Sequence, residues 1–85
     1  MEIVADILTE ALNGANKTRL VYRANLNFLR THTYLSQLLD KGLLVEENTS
    51  DGRVGYRTTD AGKRLLNIMR GARSLMEEAE QLISA

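Results

Sequence analysis

The sequence predicts an α+β domain, mainly α with a small β-hairpin, and three observations carry the prediction. Two short helical patterns stand close together over residues 17–24 and 28–41. A two-stranded hairpin pattern follows at once, and a much longer helical pattern then begins at residue 59. That order is the trace of a winged helix-turn-helix followed by a long C-terminal coiled-coil helix. The expected organisation is a winged helix-turn-helix domain over residues 1–62 and a dimerisation helix over residues 59–84, continuous with it.

The first element is a helix from Glu2 to about Asn13, stopped by Gly14, with Ile3, Val4, Ile7, Leu8, Ala11 and Leu12 on one core-facing stripe. Lys17 to Ala24 is a short helix, and Asn25 to Asn27 a polar turn. In the helix from Phe28 to Lys41, Phe28, Leu35, Leu38 and Leu39 recur at three- and four-residue spacing. Asn27 is placed to cap it, because its side-chain oxygen can accept from free N–H groups of the first turn. Gly42 stands where a left-handed terminator is wanted. Leu43-Leu44-Val45 reads as a strand, Ser50-Asp51-Gly52 as a turn, and Arg53 to Thr58 as the returning strand, with Val54, Tyr56 and Thr58 on one face. Thr59 caps the last helix, and Asp60 suits the positive end of its dipole.

Eighty-five residues make one small domain, of a size that buries about 60–65% of its unfolded surface and often leans on a partner. The absence of cysteine excludes disulfides and thiolate metal sites. The N-terminal residues lack the basic segment and apolar core of a signal peptide, and no apolar run is long enough to span a membrane. The expected location is therefore the cytoplasm, at the nucleoid.

Net charge is zero, but its distribution is uneven. Between Gly14 and Lys41 five bases, Lys17, Arg19, Arg23, Arg30 and Lys41, face one acid, Asp40, a local excess of four. The first helix carries Glu2, Asp6 and Glu10 on one face and no base. Positive charge thus gathers on the helix-turn-helix, where a phosphate backbone would lie. Lys17, Thr18, Arg19, Arg23, Ser36 and Lys41 are the expected phosphate contacts, with Arg53 and Arg57 on the wing.

Projecting the second motif helix at about 100° per residue puts Phe28, Thr31, Leu38 and Leu39 toward the core with Leu35, and Arg30, Thr33 and Gln37 on the opposite side. Arginine can bond a guanine edge, glutamine an adenine edge, and threonine can donate to either or touch a thymine methyl. These three are the expected base readers in the major groove. Exposed helix faces are polar in any protein, so the motif carries more weight than the individual assignments. His32 falls at the edge of the apolar stripe without a second histidine or a cysteine, and is expected to be a half-buried structural residue rather than a ligand. Gly14-Ala15-Asn16-Lys17-Thr18 lacks the spacing and preceding strand of a phosphate-binding loop. No nucleophile stands with a base and no carboxylate pair with a cleft, so no enzymatic activity, cofactor or metal is expected.

Lys17-Thr18-Arg19 with Tyr22 and Ala24-Asn25-Leu26, Tyr34-Leu35, Gly42-Leu43, and Tyr56-Arg57-Thr58-Thr59 followed by Gly62 resemble the small archaeal winged-helix DNA-binding proteins of the ten-kilodalton type. The resemblance covers nearly the whole chain. It implies a homodimer whose C-terminal helices form an antiparallel coiled coil holding two winged heads apart. The abundant chromatin members of that family are strongly basic and this chain is neutral, which favours a transcriptional regulator over bulk coating of DNA.

The last helix points to a dimer independently. Leu65, Ile68, Ala72, Leu75, Ala79 and Leu82 alternate by three and four, a heptad seam that Met69, Met76 and Ile83 widen on one side. Lys63, Arg64, Arg70 and Arg73 occupy its first part, and Glu77, Glu78 and Glu80 its last. An antiparallel partner lays the basic half of one helix along the acidic half of the other. The reading is a homodimer that binds double-stranded DNA through helix 28–41. Its alternatives are a winged helix that docks a protein and a non-specific architectural chromatin protein.

Overall fold

The computed structural model describes residues 2–84; Met1, where the expected domain begins, lies outside them, as does the side chain of Glu2. The order is α1 (Glu2–Glu10), β1 (Ala15–Asn16), α2 (Lys17–Ala24), α3 (Phe28–Asp40), β2 (Leu44–Asn48), β3 (Val54–Thr58) and α4 (Asp60–Ser84). This is the expected mainly helical α+β architecture, a winged helix with a long C-terminal helix.

Local chemistry sets the boundaries of the helix-turn-helix. The Asn16 side chain accepts from the Arg19 N–H at 2.9 Å and starts α2; the Asn27 side chain accepts from the Arg30 N–H at 2.8 Å and starts α3. Asn25 ends α2 in the left-handed conformation (φ 55°), which asparagine tolerates better than most residues. Gly42 (φ 72°) ends α3, with Gly42 N–H donating to Leu39 and Leu43 N–H to Leu38, a Schellman closure. Thr59 opens α4: its hydroxyl oxygen accepts from the Gly62 N–H at 3.1 Å and donates to the Gly42 carbonyl at 2.6 Å. The cap of α4 is thereby tied to the end of α3.

Ile7, Leu8 and Ala11 from the first element, Leu20 and Ala24 from α2, Leu35 and Leu38 from α3, Leu44 from β2 and Leu66 from α4 form one buried core. Ile3, Val4, Leu12, Leu26, Leu39, Leu43 and Leu65 pack around it. The sequence pattern identifies these positions on α1 and α3 but puts Leu65 in the free seam, whereas Leu65 packs on its own domain beside the fully covered Leu66. Gly62 permits this docking: a Cβ there would overlap the Leu43 carbonyl and come 2.7 Å from the Thr58 methyl. Beyond those turns α4 projects outward, about 38 Å in all, in a molecule 54 Å long and 26 × 21 Å across.

Four expectations need correction. The sheet has three strands in the order β1-β3-β2, because Ala15 and Asn16 pair with Tyr56 and Gly55 beside the expected hairpin. Helix α1 stops at Glu10 rather than Asn13, since Thr58 takes the carbonyls of Leu8 and Ala11. Phe28 is 57% exposed rather than turned to the core, as it is the first residue of α3, where the helix has only begun to pack. His32 is exposed rather than half-buried; its side of α3 lies over the start of α2, where Lys17 Nζ donates to His32 Nδ1 at 3.3 Å. Among the described residues no helix is long and apolar enough to cross a membrane.

Candidate nucleic-acid interface

Helix α3 is held by Leu35, Leu38 and Thr31 on its buried side, so its opposite face is fixed and open. Arg30, Thr33 and Gln37 are exposed there and, with Tyr34, line one shallow hollow of about 300 Å³. All three expected base readers therefore share one surface. Among the described residues no carboxylate lies within ion-pair distance of Arg30 or Lys41. Thr18, Ser36 and Lys41 are also exposed.

The remaining bases are differently placed. Arg19 pairs with Glu10 at 2.9 Å, and Arg23 approaches Asp6 at 3.9 Å. Glu10 and Asp6 of α1 thus lie against the bases of α2, not on a separate face as the charge pattern suggests; the packing of α1 on α2 brings them together. On the wing Arg57 donates to Glu47 at 2.8 Å, which raises its already high pKa, and Arg53 lies 3.6 Å from Asp51. The wing tip is closed by Thr49, whose N–H donates to the Arg53 carbonyl at 2.7 Å and whose hydroxyl bonds the Asp51 carboxylate. That hydroxyl chiefly holds the Asp51 carboxyl below its ordinary pKa. Burial, followed by the charge of Glu46 across the strand pair, raises the pKa of Tyr56.

A second hollow of about 310 Å³ runs between the start of α2 and the wing, lined by Asn16, Arg19, Glu47, Asp51 and Arg53 among others. Its charges are largely matched in the pairs just described. Among the described residues no group of three or more histidine, aspartate or glutamate side chains could hold a metal ion.

On α4 the expected seam is exposed from Ile68 onward: Ile68, Ala72, Leu75, Ala79 and Leu82 all face solvent in the single chain, with Leu82 81% exposed. Three apolar residues of the helix-turn-helix are exposed, Tyr22, Phe28 and Leu29, of which sequence reasoning put Phe28 toward the core and passed over Leu29. Helical projection carries the signal for Leu29, which falls about 120° from Leu35.

The chain matches the family model described as winged helix-turn-helix over residues 1–77. Among solved structures it is similar to Sso10a-2, a DNA-binding protein from Sulfolobus solfataricus, with 30% sequence identity and a TM-score of 0.72, covering 98% of this chain and 90% of that one. No curated protein matches it. Both similarities agree with the resemblance to small archaeal winged-helix proteins.

Proposed function

Because the chain belongs to the winged helix-turn-helix family, we propose that it is a homodimeric DNA-binding protein and transcriptional regulator of the cytoplasm. The observation that carries this reading is the shared surface of Arg30, Thr33 and Gln37 on the open face of α3. Such a face presents hydrogen-bonding groups to base edges, and the uncompensated charge of Arg30 and Lys41 attracts phosphate. The similarity to Sso10a-2, a DNA-binding protein, supports the same conclusion. Residues 1–62 serve as the reading head and residues 59–84 as the dimerisation helix.

The reaction is recognition, not chemistry. Base contacts from α3 select the site, while Lys17, Thr18, Ser36, Lys41 and the wing arginines set the register on the backbone. Arg19 and Arg23 join the phosphate contacts by exchanging Glu10 and Asp6 for phosphate. A net charge of zero limits non-specific coating and favours a regulator that occupies chosen sites. Two heads linked through α4 bind two half-sites as one event, which multiplies affinity without any new contact.

The test is an anisotropy titration of the full chain on fragmented genomic duplex at two salt concentrations. Binding that weakens as salt rises is the expected result. Absence of binding at the lower salt concentration would exclude the reading and favour a protein-docking winged helix.

A further inference from the structure

Among the described residues the exposed large apolar side chains include Val45 and Val54 on the wing strands and two further groups. One is the stripe on α4, which the proposed second copy covers. The other is on the helix-turn-helix, where Leu29 is 76% exposed in the first turn of α3. A single exposed leucine is unremarkable on a protein surface. This one, however, stands at the end of the helix that reaches base edges in helix-turn-helix docking. It precedes Arg30, and it is one helical turn from Thr33.

Thr33 completes the feature. Its hydroxyl donates to the Leu29 carbonyl at 3.2 Å, so the polar part of the side chain is engaged with its own helix. The γ-methyl is the part left without a polar commitment. Leu29 and Thr33, one turn apart on α3, therefore offer a small apolar strip, and Thr33 joins it to the hollow that it lines with Arg30, Tyr34 and Gln37. Major-groove base edges offer one apolar group to match such a strip, the 5-methyl of thymine. The surroundings favour a duplex over a protein as occupant: among the described residues no carboxylate lies within ion-pair distance of Arg30 or Lys41, and the 14–41 segment carries five bases to one acid.

We infer that Leu29, together with the methyl of Thr33, is a specificity-determining contact for a thymine methyl flanking the guanine that Arg30 takes. This rests on the DNA-binding reading above and adds the base it selects. It assigns Thr33 to methyl contact rather than hydrogen-bond donation.

The test starts from a pool of duplexes with a randomised core, enriched by the protein over successive rounds. The winning duplex is resynthesised with deoxyuridine in place of thymidine at one position at a time, which removes only the methyl. Affinities are then measured for the native chain and for Leu29→Ala, whose fold is checked by circular dichroism. The expected result is one thymine position at which the native chain loses about three- to five-fold in affinity on uridine, the value of burying one methyl group. Leu29→Ala should bring that ratio close to one. A native ratio near one at every position would overturn the inference without any variant. So would an unchanged ratio in Leu29→Ala, or a pool that yields no preferred sequence. In each of those cases salt-dependent binding to the pool would leave the DNA-binding reading standing, whereas no binding to any duplex would remove both.

Discussion

Thr58, at the end of β3, donates its buried hydroxyl to the carbonyl of Leu8 in α1 at 2.6 Å, joining residues 50 apart in the chain. Its N–H also donates to the Ala11 carbonyl at 3.0 Å. The final carbonyls of a helix have no partner within it, so the wing strand closes the end of α1. Thr58→Val keeps the shape and leaves the Leu8 carbonyl buried without this donor. It should cost about 1–3 kcal/mol in urea unfolding. An unchanged midpoint would mean that another donor replaces Thr58.

Thr31 is the opposite case. It is fully buried in α3, and its hydroxyl has no hydrogen-bond partner among the described residues. Thr31→Val therefore removes an unmet polar group while conserving volume, and should stabilise the chain by about 1 kcal/mol, or about 4–8 °C in melting temperature for a domain of this size. A lower melting temperature would show that the hydroxyl has a partner after all. Measured together, two buried threonines should answer the same substitution with opposite signs.

Gly62 decides how α4 leaves the wing. A Cβ there would meet the Leu43 carbonyl and the Thr58 methyl in hard overlap, and backbone cannot swing away as a long side chain can. Gly62→Ala should destabilise by about 1–3 kcal/mol, as overpacking typically does, despite alanine's better helix propensity. A stabilised variant, read by thermal melting, would mean that α4 docks more loosely than described.

The elements most legible in the sequence were those whose chemistry is local. Asn16, Asn27, Gly42 and Thr59 stand at helix ends because their side chains or their conformational freedom meet unsatisfied backbone groups, and three of them, Asn27, Gly42 and Thr59, could be assigned from position alone. The two-residue β1 could not: nothing in Ala15-Asn16 signals a strand, and its pairing with β3 is set by tertiary packing. The same holds for charge. Arg19 and Glu10 are both plain in the sequence, but only the packing of α1 on α2 makes them a pair. On α3 periodicity gave the open face, while the exposure of Leu29 and Phe28 depends on how far neighbouring elements reach over its first turn.

The pairing of Arg19 with Glu10 has a consequence for binding. The carboxylate competes with phosphate for the guanidinium and also repels the duplex. Glu10→Gln should strengthen binding to random duplex, because Arg19 no longer gives up a carboxylate to reach phosphate, while the log–log salt slope changes by less than about 0.9, the value of a whole phosphate contact. Because the pair is exposed, stability should change by less than about 1 kcal/mol. Unchanged affinity would place Arg19 off the duplex.

The register of the proposed dimer follows from where α4 becomes free. Leu65 and Leu66 are taken up by the chain's own core, so the uncovered stripe runs from Ile68 to Ile83 and has its midpoint near Leu75. Two such stripes overlap most fully in antiparallel register when Ile68 of one copy meets Ile83 of the other, and the helices then cross near Leu75. That crossing lies further along α4 than either a Leu65–Leu82 or an Arg64–Glu78 pairing would put it, and it sets Arg73 against Glu78. The chain has no native cysteine, so single engineered thiols report the geometry cleanly. Leu75→Cys should crosslink to itself across the dimer under mild oxidation, whereas in Leu82→Cys the two thiols would be about 20 Å apart along the axis and should not. Leu75→Glu would bury charge at the centre of the seam and should sediment as a monomer with much weaker DNA binding. Ready crosslinking at position 82 would establish a parallel pair, and a native chain that sediments as a monomer at micromolar concentration would exclude the dimer itself.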